Sequence, residues 1–155
     1  MFRPITQKDR ETVLAMMKEF YHSPAVLHPV PEDHFRQTID RILAGSPYAD
    51  AFVFEADGQK AGYALLAKTY SNEAGGLVVW VEEVYIRPAF QGRGLGGQFL
   101  RYLAEEYPQT QPDRIVRLRL EVAEDNEGAV RLYRRSGYQD FAYRQMIREL
   151  SPESK

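Results

Sequence analysis

The stretch Arg87-Pro88-Ala89-Phe90-Gln91-Gly92-Arg93-Gly94-Leu95-Gly96-Gly97 is the most informative part of this 155-residue chain. An apolar, β-branched run precedes it, and a helical pattern of Leu95, Phe99 and Leu103 begins within it. The first N–H groups of a helix have no partner inside the helix, and glycines let a ligand approach that backbone closely. Because the helix dipole adds about half a positive charge there, the stretch predicts a strand-to-helix turn that binds phosphate or diphosphate.

The periodicity of the flanking sequence predicts one mixed α/β domain over residues 1–150, followed by a short tail, residues 151–155. The predicted order is βααβββαβαββ, with a central twisted sheet flanked by helices. The predicted helices are 9–21, 35–43, a third from Leu95 to before Pro108, and a fourth from Asn126 to Gly137. The predicted strands are 2–5, 51–56, 60–68, 77–87, 115–122, 138–141 and 143–150. Asp57-Gly58 predicts a hairpin turn, and Asn126 predicts the cap of the fourth helix.

The composition narrows the functional class. A net charge of −2 does not favour a nucleic-acid partner. The absence of cysteine excludes disulfides, thiolate metal sites and a cysteine nucleophile. The N-terminus lacks the apolar stretch of a signal peptide, and no apolar run reaches the roughly 18 residues of a membrane span. These features predict a cytoplasmic protein with no membrane partner.

Two other phosphate-binding motifs compete for the glycine-rich stretch. Gly92-x-Gly94-x-x-Gly97 satisfies the dinucleotide-binding fingerprint, and Glu121 could serve as its ribose-binding acid. That fold places its fingerprint directly after a first strand, whereas several strands precede it here, and too few elements follow Glu121. A nucleotide P-loop fails because no Gly-Lys-Ser/Thr occurs.

Three segments in order resemble the GNAT superfamily of N-acetyltransferases. Gln91-Gly92-Arg93-Gly94-Leu95-Gly96 is similar to its (Gln/Arg)-x-x-Gly-x-(Gly/Ala) signature. The run 80–88 resembles the strand before that signature, and Asn126-x-x-Ala129-x-x-Leu132-Tyr133-x-x-x-Gly137-Tyr138 resembles a second characteristic segment. The resemblance covers nearly the whole chain and implies an enzyme that moves acetyl from acetyl-CoA directly to a primary amine.

The resemblance also implies where the coenzyme binds. Its diphosphate is expected on the backbone N–H groups of the glycine-rich turn, and its pantetheine arm along the preceding strand. A bulge near Glu82-Glu83 would open this strand from its partner, residues 116–122, and admit the thioester. The residues implied for the coenzyme are Val84, Tyr85, Ile86, Gln91, Gly92, Arg93, Gly94, Leu95, Gly96, Gly97 and Asn126.

Two side chains carry the chemistry that the resemblance implies. Tyr133 is the expected general acid, because a phenol with a pKa near 10 can return a proton to a departing thiolate; its alternative is a core aromatic. Glu82 is the expected base, favoured over Glu83 because it shares strand parity with Val84 and Ile86. The alternative for either carboxylate is that it only attracts a cationic substrate or is simply solvated. The Val84 N–H is expected to stabilise the oxyanion.

The acceptor amine stays open at this stage. The alternatives to a small-molecule acetyltransferase are a protein or peptide N-terminal acetyltransferase, a non-catalytic acyl-CoA sensor and a dinucleotide-binding module. No metal is predicted, because the three histidines lack ligand spacing; they are expected at the rim of the acceptor pocket. A homodimer is possible. Residues considered for the pocket are Tyr21, His22, His28, His34, Tyr48, Tyr70, Glu73, Trp80 and Tyr143.

Overall fold

The computed structural model describes residues 1–150, in which one five-stranded sheet carries helices on both faces. The strands lie side by side in chain order, and only the last pair is parallel. A helix connects these two, as a parallel crossover requires. The elements are β1 (Phe2–Pro4), α1 (Arg10–Tyr21), α2 (Glu32–Leu43), β2 (Ala49–Ala56), β3 (Gln59–Ser71), β4 (Gly76–Ile86), α3 (Leu95–Glu105), β5 (Ile115–Leu120) and α4 (Glu127–Arg135).

Each face of the sheet buries its own apolar cluster. Helices α1 and α2 pack on one face, where Met16 and Ile39 meet Val53. Helix α3 packs on the other face, where Phe99 meets Phe52 and Phe54 of the same strand. Strand β2 is therefore buried on both sides, which explains its nearly continuous apolar sequence. The predicted mixed α/β class is confirmed.

A buried carboxylate ties the first strand to the sheet interior. Asp9 is 1% exposed and accepts hydrogen bonds from Arg3 at 2.8 Å and from the Thr6 N–H at 2.8 Å. Lys60 of β3 lies 2.6 Å from its second oxygen. The Arg3 guanidinium holds the pKa of Asp9 well below its usual range, although burial opposes this. The cluster joins β1, the start of α1 and β3.

Strand β4 contains the bulge on which the site depends. Leu65 of β3 pairs with Glu83, and the next residue, Leu66, pairs with Val81. Glu82 is therefore the extra residue and has no partner on β3. On the other side of β4, pairing with β5 ends at Val81, which lies opposite Leu120. Within the described chain, residues 82–86 of β4 therefore have no partner on the β5 side, as the predicted V-shaped opening requires.

The two final strands of the prediction are wrong. Residues 138–150 form neither helix nor strand. The apolar pattern does not alternate there, because Met146 and Ile147 are adjacent, and both are more than four-fifths exposed. Phe141 instead contacts the guanidinium groups of Arg117 and Arg119. The predicted tail, residues 151–155, lies outside the described residues.

Candidate active site

The start of α3 presents a row of unpaired backbone donors. The first helical hydrogen bond runs from the Gln98 N–H to the Gly94 carbonyl at 3.0 Å. Within residues 1–150, the N–H groups of residues 92–97 have no acceptor. Gly92 and Gly94 have φ values of 73° and 76°, a left-handed conformation that favours glycine. The predicted turn is therefore a concave set of donors at a helix N-terminus, suited to an anion.

The glycines keep two different spaces free. A Cβ at Gly92 would meet no atom within 4 Å, and one at Gly94 would meet only the Gln98 side chain, at 3.6 Å. A Cβ at Gly96 or Gly97 would lie 3.5 Å from a methyl group of Leu132. The first pair leaves the donors accessible, whereas the second pair lets α4 pack closely against the start of α3. The accessible N–H donors and the positive end of the α3 dipole together suit a diphosphate group.

Two side chains fix the turn to the sheet. The Gln91 side chain donates from Nε2 to the Ile86 carbonyl at 2.9 Å. The Arg93 guanidinium pairs with Asp57, at the tip of the β2–β3 hairpin, at 2.6 Å. Both bonds hold the turn against the end of β4 and the neighbouring hairpin. Gln91 thus closes the turn, and Arg93 is tied to a carboxylate at the surface.

The end of β4 offers a free strand edge beside this turn. The Arg87 N–H donates to the Ala61 carbonyl of β3, so by alternation Tyr85 also pairs with β3. The backbone groups of Val84 and Ile86 therefore face the side that β5 has left. Tyr85 turns its hydroxyl to Glu19 on α1, at 2.9 Å. Of the three predicted strand residues, Val84 and Ile86 form this edge, and the Ile86 carbonyl already accepts the Gln91 side chain there.

Glu82 and Glu83 occupy different environments at the bulge. Partial burial and the negative charges of Glu83 and Glu121 raise the pKa of Glu82, part of which is exposed to solvent. Strand alternation predicted that Glu82 and Val84 lie on the same face of β4. Because Glu82 is the bulge residue, regular alternation does not apply between them. Glu121, which follows the last residue of β5, is one of the charges that raise the pKa of Glu82. Glu82 therefore lies near the point where β4 and β5 stop pairing.

Glu83 is held by two tyrosines that the sequence did not connect. The hydroxyls of Tyr21 and Tyr63 each donate to its carboxylate, that of Tyr63 at 2.6 Å. Burial raises the pKa of Glu83, and these two donors oppose the rise. Tyr63 is fully buried, and burial and the Glu83 charge raise its own pKa far above the usual value. The only sequence signal for this network was the presence of tyrosines in a predicted strand and at a helix end.

Tyr133 lies in helix α4, and Asn126 precedes the first residue of that helix. The Asn126 side chain accepts the Ala129 N–H at 3.2 Å, so it caps the helix. Burial raises the pKa of Tyr133, which keeps its hydroxyl protonated at neutral pH. The neighbouring Tyr138 lies 6.0 Å away, ring to ring, and its buried hydroxyl has no partner within residues 1–150. Leu132 anchors this helix on the start of α3.

The residues considered for the acceptor pocket separate into groups. Tyr21 stacks on Phe35 and reaches Glu83, whereas Tyr48 and Tyr70 are exposed. Trp80, Glu73 and Tyr143 line a separate cleft together with arginines. His22 bonds the Lys18 carbonyl at 2.7 Å. Within residues 1–150, no cluster of three or more histidine, aspartate or glutamate residues could hold a metal ion, and no helix is long and apolar enough to cross a membrane.

The sheet excludes a dinucleotide-binding fold, because four of its five strands are antiparallel neighbours. Comparison with known proteins agrees. The Acetyltransferase (GNAT) family profile matches residues 13–138. The spermine/spermidine N(1)-acetyltransferase of Bacillus subtilis is 31% identical over 85 residues, 54% of this chain and 55% of that protein. The matches cover 38–55% of the length of the first three curated relatives.

Solved structures share the fold over nearly the whole chain. A possible acetyltransferase from Clostridium difficile 630 superposes with a TM-score of 0.83 at 15% identity, covering 97% of both chains. The aminoglycoside N-acetyltransferase AAC(6')-Iy, in complex with the bisubstrate analog CoA-S-monomethyl-acetylneamine, has a TM-score of 0.77 at 17% identity, and the match covers 97% of this chain and 98% of that chain. The predicted family is confirmed: this chain belongs to the GNAT family of acetyltransferases.

Proposed function

We propose that this protein is an acetyl-CoA-dependent N-acetyltransferase that modifies a primary amine of a small molecule or peptide. The observation that carries the proposal is the row of unpaired N–H groups at residues 92–97, next to the open edge of Val84 and Ile86. One feature suits a diphosphate and the other an extended amide-containing arm. Acetyl-CoA contains both groups and supplies the acetyl thioester. The CoA-bound neighbour and the acetyltransferase relatives support this choice.

The coenzyme would be held by backbone more than by side chains. The N–H groups of residues 92–97 would bind the diphosphate, with Arg93 at the rim. Val84 and Ile86 would bind the pantetheine amides by strand-like hydrogen bonds, and Asn126 has its side-chain NH₂ left to donate after capping α4. The Val84 N–H, just beyond the bulge, is the donor proposed to stabilise the oxyanion that develops during transfer.

The carboxylates prepare the attacking amine. Amines in water are mostly protonated at neutral pH and must lose a proton before attack. Glu82 is the proposed acceptor of that proton, directly or through a water, and its raised pKa makes it a better base than an ordinary carboxylate. Glu83, held by Tyr21 and Tyr63, adds negative charge that attracts the cationic amine.

Tyr133 is the proposed proton donor to the departing thiolate. The ammonium loses one proton through Glu82, and the neutral amine then forms the C–N bond as the C–S bond breaks. Tyr133 protonates the departing thiolate, and the second proton, released by the acylated nitrogen, restores Tyr133. The hydroxyl of Tyr133 has no hydrogen-bond partner within residues 1–150 and is protonated at neutral pH, as a donor must be. No protein nucleophile is required, which agrees with a chain that lacks cysteine.

A turnover assay tests the proposal. Release of free thiol from acetyl-CoA is measured with a panel of amines, polyamines, aminoglycosides, amino acids and short peptides. Tyr133→Phe should lower kcat with the best acceptor by about 10²-fold or more, the usual contribution of a general acid. Tyr138→Phe is the matched control, because it removes an unpartnered hydroxyl from the neighbouring ring. Equal kcat values for wild type and Tyr133→Phe would refute the proton-donor role, and coenzyme binding without any turnover would favour a sensor.

A further inference from the structure

An open cleft with a strongly basic lining lies on the sheet face that carries α1 and α2, over the part of β4 and β5 that these helices do not cover. Its volume is about 360 Å³, within the range of small-molecule sites. Trp80 alternates with Val79 and Val81, which face α3, so Trp80 points to the opposite face. By the same alternation Arg117 and Arg119 face away from α3. The lining residues used here are Glu73, Trp80, Arg117, Arg119, Phe141 and Arg144.

The guanidinium groups in this cleft outnumber the carboxylates by three to one. Arg119 Cζ lies 4.1 Å from the Trp80 ring centre and 4.7 Å from that of Phe141. Within residues 1–150 neither Arg119 nor Arg144 forms an ion pair, and Arg117 reaches only Glu73, at 3.5 Å. The rings fix the Arg119 guanidinium while its N–H groups stay available. A held guanidinium with free donors is the usual partner of a carboxylate.

This cleft adjoins the proposed catalytic opening. Arg119 pairs across the sheet with Trp80, and Val81 pairs with Leu120. Glu121 follows Arg119 by two residues, and its charge acts on Glu82. Two residues of extended chain span about 7 Å and four span about 13 Å. Counted along the chain from Glu121, the Cα of Arg119 is therefore about 7 Å away and that of Arg117 about 13 Å away.

We propose that the acceptor is a zwitterion, with its amine at Glu82 and a carboxylate bound by Arg119 in this cleft. The inference rests on the proposed function and names its substrate class. We therefore expect an acceptor whose amine and carboxylate are about 7 Å or more apart. Lysine that reacts at its side-chain amine and a dipeptide that reacts at its N-terminus both meet this condition. A polyamine fits less well, because its second ammonium would meet three guanidinium groups.

Three acceptors of equal chain length isolate the anionic end. Wild-type kcat/KM is measured for 6-aminohexanoate, hexylamine and 1,6-diaminohexane, and it should be highest for 6-aminohexanoate. Arg119→Gln should raise KM for 6-aminohexanoate by about tenfold or more, the loss expected for one charged hydrogen bond, and leave hexylamine unchanged. Arg119→Lys, which keeps the charge and loses the planar fork, should fall between them. Arg101→Gln, on the exposed face of α3, is the matched control.

Binding of 6-aminohexanoate to the CoA-loaded protein, measured by calorimetry, separates the two proposals. Turnover that favours the diamine or hexylamine, with no effect of Arg119→Gln, overturns the zwitterion inference and keeps the acetyltransferase. No turnover, but binding that Arg119→Gln weakens, overturns the proposed function and keeps the anion site. If Arg119→Gln binds and acetylates 6-aminohexanoate as well as wild type does, the inference is overturned. Nα-acetyllysine and dialanine then distinguish a side-chain amine from a peptide N-terminus.

Discussion

Replacement of Tyr63 by phenylalanine tests the buried network beneath the bulge. The Tyr63 hydroxyl donates to Glu83 at 2.6 Å, and Tyr21 supplies the other tyrosine donor. The ring of Tyr63 is fully buried among apolar side chains of the α1 and α2 face, and phenylalanine keeps this packing. The substitution therefore removes one hydrogen bond to a carboxylate and little else.

The expected size of the effect depends on the charge of Glu83. A hydrogen bond to an ionised group contributes about 1.5–3 kcal/mol, whereas one to a neutral group contributes about 1 kcal/mol. The folded-state pKa of Glu83 is raised above the ordinary 4.5, so the unfolding free energy falls as pH rises from 4.5 through that pKa. Tyr63→Phe raises the pKa further. Its destabilisation should grow from about 1 kcal/mol in acid to about 1.5–3 kcal/mol at high pH.

Urea unfolding across a pH series measures this difference. Tyr85→Phe is the matched control, because Tyr85 of β4 pairs with Tyr63 of β3 and its hydroxyl donates to Glu19 near the surface. It should change the unfolding free energy by about 0.5 kcal/mol or less. A Tyr63→Phe effect that does not change with pH would refute the view that its hydroxyl stabilises the charged form of Glu83.

The remaining predictions concern Asp9 and Glu82. Asp9→Asn should lower the unfolding free energy at neutral pH by about 3–5 kcal/mol, because it leaves Arg3 and Lys60 beside a buried amide. Folding lowers the pKa of Asp9, so the stability that its charge contributes is present above pH 3.8 and is lost as the pH falls. The unfolding free energies of variant and wild type should therefore converge in acid. A loss of unfolding free energy below about 1 kcal/mol at neutral pH would contradict the stabilising role of this cluster. Glu82→Gln should remove the acid limb of the kcat/KM profile, which wild type should show above pH 4.5, and lower the plateau by about 10²-fold. Glu105→Gln, on α3, is its control, and a profile unaltered by Glu82→Gln would assign the base elsewhere.

The sequence predicted the parts that local physics determines. The glycine-rich turn and the Asn126 cap are each set by neighbouring residues, and the structure has both. The Asp57-Gly58 hairpin follows the same rule, with both residues at positive φ. The V-shaped opening was expected from family resemblance, since a pair of glutamates in a strand does not by itself specify a bulge.

The parts that were missed depend on distant residues. Glu83 meets Tyr21 across 62 positions of sequence, and no local pattern indicates such a contact. The predicted final strands depended on apolar residues alone, although Met146 and Ile147 have no sheet face to cover them. The basic cleft forms only because the irregular segment after α4 brings Phe141 and Arg144 beside β5.

We infer that the amide groups of residues 92–97 bind the diphosphate of CoA. Titration of ¹⁵N-labelled protein with CoA, followed by amide chemical shifts, tests it most directly. We expect saturable shifts of these six amides with CoA, and none of them with pantetheine, which lacks the diphosphate. The amides at the start of α1 serve as an internal control. Saturable binding that leaves residues 92–97 unshifted would contradict the account.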